Sequence, residues 1–151
     1  MRQAIHELKY RNLRALAQPL ARLLRDYLAE SPLPADALVP VPLHSKRLKE
    51  RGYNQSRRLA QELGKLMNVP VVDDCLFRRR HTSPQTRTSS VKERKRNIAD
   101  AFACHNDNLR HKQVLLIDDV ATSGATLDAC AVALKAAGAS SVWGLVLARE
   151  I

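Results

Sequence analysis

Two adjacent acids, Asp118 and Asp119, stand between the apolar run 114–117 and a loop of small residues that includes Thr122, Ser123, Gly124 and Thr126. An apolar run of that length reads as a buried strand, and 126–137, with Leu127, Cys130, Ala131 and Leu134 on one face, reads as a helix. The stretch VLLIDDVATSGAT is therefore a strand, a short loop and a helix start. In open α/β sheets ligands bind beyond the carboxyl ends of the strands, which is where this one delivers its carboxylates. Gly124 lets the backbone turn and approach a ligand closely. N–H groups at a helix start, helped by hydroxyls, make an anion site. Carboxylates beside an anion site suit a sugar phosphate: the acids accept from ribose hydroxyls or hold Mg²⁺ through water.

Other uses of an apolar strand ending in two acids need partners that this chain lacks. A Walker-type nucleotide site requires GxxxxGK[ST] upstream and a dinucleotide fold requires GxGxxG. The glycines are Gly52, Gly64, Gly124, Gly138 and Gly144, and none begins either pattern. The bland alternative is a solvated strand end with a hydroxyl cap, which leaves the combined spacing unexplained.

The elements that hold this segment follow from periodicity. Residues 1–34 form a helical section, with Ile5, Leu8, Leu13, Leu16, Leu20, Leu23, Leu24, Tyr27 and Leu28 at roughly helical spacing and Pro19 in a first turn. A first strand is expected at 37–41 and a second at 69–72, with Pro40, Pro42 and Pro70 counting against central positions. Asn54 caps a helix over Gln55–Met67. Residues 142–147 are a further strand, and Gly138 follows the helix before it. Strands alternating with helices predict an α/β fold, a mainly parallel central sheet flanked by helices, in a single domain over 1–151. Residues 78–96 hold Val91 as their one large apolar residue and read as a long loop, with a short helix around 92–101 overlapping its end.

Charge is local. The chain carries +10 overall, of which 44–58 contributes +5 and 78–96 contributes +7. Such blocks are solvated faces or meet anionic partners. Cys75, Cys104 and Cys130 are odd in number and form no CxxC pair, so they read as reduced, buried thiols. The histidines show no metal-ligand spacing. No secretory leader and no apolar run of roughly 18 residues is visible, so membrane insertion is not expected and the cytoplasm is the expected location.

The central stretch resembles the phosphoribosyl pyrophosphate (PRPP) signature of type I phosphoribosyltransferases: four apolar residues, two acids, two variable residues, then T-S-G-x-T. A wider match, through LKYR (8–11), VPVPLHSKRLKERGYNQS (39–56), RRRHTSPQTR (78–87), ERKRNIADAF (93–102) and the signature itself, resembles the ComF/GntX-type competence family. Members of that family often carry a Cys-rich zinc-binding segment ahead of the LKYR-like stretch, near which this sequence begins; zinc is accordingly not expected here.

The resemblance implies a type I phosphoribosyltransferase-like fold and the following roles. Asp118 and Asp119 face the ribose hydroxyls and Mg²⁺, held through water. Ala121, Thr122, Ser123, Gly124, Ala125 and Thr126 wrap the 5-phosphate. Residues 43–46 correspond to a pyrophosphate loop, with Lys46, Arg47 and Arg51 as the candidates to meet pyrophosphate. Residues 78–96 occupy the place of a mobile catalytic loop, in which Arg87 is the catalytic candidate; Thr82, Gln85, Arg94 and, just past its end, Asn97 are weaker ones. Thr122 stands where 6-oxopurine salvage enzymes usually place an Asp, which disfavours that acceptor class.

Three functions share these residues. One is a PRPP-dependent transferase that displaces pyrophosphate at ribose C1. Another is a PRPP sensor without turnover, linked like the first to the use of external DNA. The third is a competence component that binds single-stranded DNA through the basic segments. PRPP, single-stranded DNA, a competence helicase-type protein and a second copy of the chain are the candidate partners.

Overall fold

The computed structural model describes residues 14–79, 100–105 and 107–150. After a 3₁₀ turn at Arg14–Leu16, helix α1 spans Ala17–Glu30, with Pro19 in its first turn. Proline costs nothing there, because the first N–H groups of a helix have no intrahelical acceptor. Strand β1 follows at Ala37–Pro40, then helix α2 at Ser45–Arg51 and helix α3 at Gln55–Met67. Strands β2 (Leu76–Arg78) and β3 (Phe102–Cys104) are short and pair antiparallel. Strand β4 is Gln113–Ala121, helix α4 is Ala125–Ala136 and strand β5 is Ser141–Arg149.

Three parallel strands in the order β1-β4-β5 make the central sheet, with Pro40 opposite Ile117 and Asp118 opposite Val146. The period of two along β4 sends alternate side chains to opposite layers. Val114 and Leu116 pack with Cys130 and Leu134 of α4 and with Leu76 and Phe102 of the small sheet. Leu115 and Ile117 pack with Leu20 and Leu24 of α1 and Leu59 and Leu63 of α3. Burial on both faces is why the strand is a continuous apolar run rather than an alternating one. The fold is α/β, with a parallel sheet flanked by helices, as expected.

Several boundaries differ from expectation. Residues 69–72 form no strand; Val71 makes a single bridge to Leu38. Leu38 donates to the Pro70 carbonyl and Val72 donates to Leu38. Pro70 has no N–H to extend that ladder. The same parity explains how Pro40 sits in β1: Leu38 sends its N–H away from β4, whereas Val41 donates to Ile117, so the missing N–H of Pro40 falls on the side away from β4. The first strand ends at Pro40, one residue early, and Val41 follows as a buried loop residue. Arg78, taken as the start of a long loop, closes strand β2. Residues 80–99 lie outside the described residues, and with them most of the expected helix around 92–101; Asp100 and Ala101 are in a turn. Residues 1–13 also lie outside them.

Gly64 has a packing role. A Cβ there would lie 2.7 Å from Val71 Cγ2 and 2.8 Å from the Val69 carbonyl, so α3 approaches the 69–71 segment only because position 64 lacks a side chain.

Candidate functional site

Strand β4 runs past its apolar core to deliver Asp118 half-buried and Asp119 at 4% exposure. A carboxylate this deep needs donors. Asp118 Oδ1 accepts from the hydroxyl of Ser56 at 2.8 Å and from the backbone N–H of Asp119 at 2.9 Å. Asp119 Oδ1 accepts from the N–H of Val120 at 2.9 Å. Burial, and then the neighbouring charge of Asp119, push the Asp118 carboxyl up to about 7, while the Ser56 hydrogen bond pulls the other way. The same Asp118 charge adds to burial in pushing the Cys130 thiol upward, and Cys75 is raised to about 12 chiefly by burial. Raised thiols form little thiolate, in line with buried structural cysteines; Cys104, also expected to be buried, is only half-buried, and all three cysteines are free.

The chain leaves β4 at Ala121, bends through Thr122 and Ser123, and enters α4 through Gly124, whose φ of +80° is left-handed. The helix start has no side-chain cap. Its first backbone-bonded N–H is that of Asp128, to Gly124, and Ala125 N–H meets only Ser123 Oγ at 3.4 Å. Thr122, Ser123 and Thr126 are exposed beside these N–H groups. Acids at a strand end and open N–H donors at the next helix start thus lie within one short step, 118–127.

Helix α3 supports this centre from the side. Asn54 accepts from Ser56 N–H at 2.9 Å and Arg57 N–H at 3.3 Å, and its amide donates to the Val41 carbonyl at 3.0 Å. The cap therefore ties α3 to the end of β1 and fixes Ser56, which is 1% exposed, against Asp118. The expected cap at Asn54 is present. The bond from Ser56 to Asp118 spans 62 positions and has no signature in local periodicity.

The expected pyrophosphate residues are placed differently from the loop assigned to them. His44 caps α2 by accepting from Lys46 N–H at 3.2 Å, so Lys46, Arg47 and Arg51 ride on a seven-residue helix and only 41–44 is loop. Lys46 and Arg47 are exposed, and Arg51 is half-buried with its guanidinium donating to Gln55 Oε1 at 3.2 Å. Arg87, Thr82, Gln85, Arg94 and Asn97 lie outside the described residues.

The donor set fits a magnesium ion carried with its substrate better than a closed metal cage. Mg²⁺ keeps waters and substrate oxygens and takes one or two carboxylates. Asp118 takes its bonds from Ser56 and the Asp119 N–H on Oδ1, and the carboxyl sits at a pKa that a nearby cation would lower. Among the described residues no group of three or more His, Cys, Asp or Glu could hold a metal by itself. Nor, among them, is any helix long and apolar enough to cross a membrane.

Comparison with known proteins bears on the family and the fold. Residues 10–150 match the phosphoribosyl transferase domain family. The chain is 36% identical over 156 residues to competence protein F of Haemophilus influenzae, covering 95% of this chain and 66% of that protein. It is 32% identical to the DNA utilization protein YhgH of Escherichia coli K12, over 97% of this chain and 66% of that one. Competence protein ComFC of Bacillus subtilis is 34% identical over 75% of this chain and 44% of its own length. The chain thus spans 66% of the length of the first two relatives. Among solved structures, glutamine PRPP amidotransferase from B. subtilis superposes with a TM-score of 0.58 at 18% identity, over 87% of this chain and 26% of that one. A purine phosphoribosyltransferase from Pyrococcus horikoshii superposes at 0.54 with 18% identity, over 87% and 70%. At those identities the likeness is one of fold. With the family match running over residues 10–150 and these relatives at 32–36% identity, the chain belongs to the phosphoribosyl transferase domain family, on the branch of competence protein F and its relatives.

Proposed function

We propose that the step from β4 to α4 binds PRPP together with Mg²⁺, and that the protein serves the use of external DNA in the cytoplasm as a phosphoribosyltransferase-like component. The observation that carries this reading is the juxtaposition of Asp118 and Asp119 with the uncapped, Gly124-turned start of α4. The acids supply acceptors for two ribose hydroxyls, and the N–H groups and hydroxyls of residues 121–126 supply donors for the 5-phosphate. Lys46, Arg47 and Arg51 are assigned to the pyrophosphate side and Arg87 to the leaving group. Mg²⁺, when bound, offsets the charge that grows on departing pyrophosphate.

If the chain turns PRPP over, its residues act by position and charge. Asp119, fixed by Val120 N–H, and Asp118, fixed by Ser56, hold the ribose ring while the bond from C1 to pyrophosphate oxygen breaks and an acceptor bonds to C1. The positive charge developing at C1 lies near two carboxylates, which stabilise it.

Calorimetry with PRPP, with and without Mg²⁺, tests the pocket. Saturable binding that needs Mg²⁺ and weakens at least tenfold in Asp119→Asn is expected; unchanged binding in that variant overturns the assignment. Pyrophosphate release over a panel of bases and amines then separates a transferase from a sensor that binds without turnover.

A further inference from the structure

The face of α3 that carries Arg57, Arg58 and Gln61 turns away from buried Leu59, Ala60 and Leu63 and lines a cleft of about 610 Å³. The other walls are the end of β1, helix α2 through Leu48, and the segment through Asp73 and Leu76. Neither Asp118 and Asp119 nor residues 121–126 line it, so it is separate from the proposed ribose and 5-phosphate contacts, while Leu43 places it beside the loop assigned to pyrophosphate. Its volume falls in the range of small-molecule sites, roughly 300–1,000 Å³.

The polar groups of the cleft are unequally engaged. Arg57 is held by Asp73 at 2.6 Å. Arg58 and Gln61, both half-buried, make no hydrogen bond or ion pair among the described residues. A guanidinium lining a cleft without a protein acceptor is a donor fork open to a ligand. Opposite it Pro40, Pro42, Leu43 and Leu48 give an apolar wall, and the two prolines make that wall rigid. Helix α2, which lends Leu48 to the cleft, exposes Lys46, Arg47 and Lys49 against the single acid Glu50.

We propose that this cleft is a second ligand site, for a 5′-mononucleotide whose phosphate meets Arg58 and whose base lies on the proline–leucine wall. The surplus positive charge favours a dianion over a carboxylate. A cleft of about 610 Å³ with these four apolar side chains in its lining has room for a ring-bearing body, which inorganic phosphate lacks. Gln61, as both donor and acceptor, can read a base edge. Arg58 and Gln61 are not among the residues proposed to hold PRPP.

A nucleotide could also enter the proposed 5-phosphate loop, so the test separates the two. The chain carrying Ser123→Asp, which puts a negative charge in that loop, is titrated with dCMP. Binding is followed by the NMR signals of the Arg58 side-chain Nε–H and the backbone N–H groups of residues 57–61. The expected result is a saturable shift that survives Ser123→Asp and weakens at least tenfold when Arg58→Gln is added. Inorganic phosphate should compete at least tenfold more weakly, and deoxycytidine should not saturate. Shifts confined to residues 121–126 in the parent and absent from Ser123→Asp overturn the proposal. So does equal binding of inorganic phosphate or of deoxycytidine, or binding of a single-stranded oligonucleotide with none of dCMP. Should Arg58→Gln fail to fold, Gln61→Ala with Leu48→Ser replaces it: weakened dCMP binding with retained phosphate competition supports the site, and unchanged binding overturns it.

Discussion

Ser56, in the first turn of α3, donates a 2.8 Å hydrogen bond to Asp118 at the carboxyl end of β4. The pair joins the cap that orients α3 to the acid with the most strongly raised carboxyl described. Its loss should cost about 1–2 kcal/mol of stability, because it leaves a half-buried carboxyl short of a donor. Since this bond lowers the Asp118 pKa, Ser56→Ala should also move the titration of Asp118 above 7. Urea unfolding and the carboxyl ¹³C shift of Asp118 measure both effects. An unchanged midpoint with an unchanged titration would show the bond to be energetically silent.

Stability should depend on pH through Asp118. Its carboxyl is raised from 3.8 to about 7, so the folded state holds a proton that the unfolded chain has released. That contribution is fully present below about pH 3.8 and is lost as pH rises through about 7. Between pH 5 and pH 8, roughly, the parent should therefore lose stability relative to Asp118→Asn, which has no such proton to release. Parallel unfolding curves of the two chains at both pH values would contradict this.

Ligand affinity should run in the opposite direction. A cation-bearing substrate favours ionised Asp118, so binding of Mg²⁺ with PRPP should tighten as pH rises through about 7 and should release a proton below it. Calorimetry in two buffers of different ionisation heat counts that proton. No proton release at pH 6 would place the ligand away from Asp118.

Asn54→Ala should cost about 1–2 kcal/mol, because it removes the acceptor for Ser56 and Arg57 N–H and the donor to the Val41 carbonyl. Asn54→Asp should recover most of the cap but not the tie to Val41. Denaturant midpoints of the three chains separate the two contributions.

Gly64→Ala should destabilise by roughly 1–3 kcal/mol although alanine is the better helix former. The added methyl would sit 2.7 Å from Val71 Cγ2 and 2.8 Å from the Val69 carbonyl, closer than either can yield without moving backbone. A stabilised variant would show that the 69–71 segment gives way easily.

The strand, loop and helix around Asp118 are written in local pattern. The apolar run before Asp118, the small residues through Thr126 and the stripe on α4 are local patterns, and each is set by the period of its own element, so they were legible without coordinates. The cap at Asn54 was legible for the same reason. What only the tertiary structure decided depends on neighbours distant in the chain. Whether Pro40 can sit in a sheet rests on which way its absent N–H points, and that follows from Leu38 pairing toward Pro70 rather than toward β4. Whether 69–72 is a strand rests on how many ladder bonds survive Pro70, and one bridge does. Lys46 and Arg47 became helical because His44 caps a turn whose sequence carries little apolar periodicity. The protonation of Asp118 is likewise tertiary: its cause is burial beneath packed layers and a serine hydroxyl 62 positions away, and neither distance nor burial is written in the residues that flank the acid.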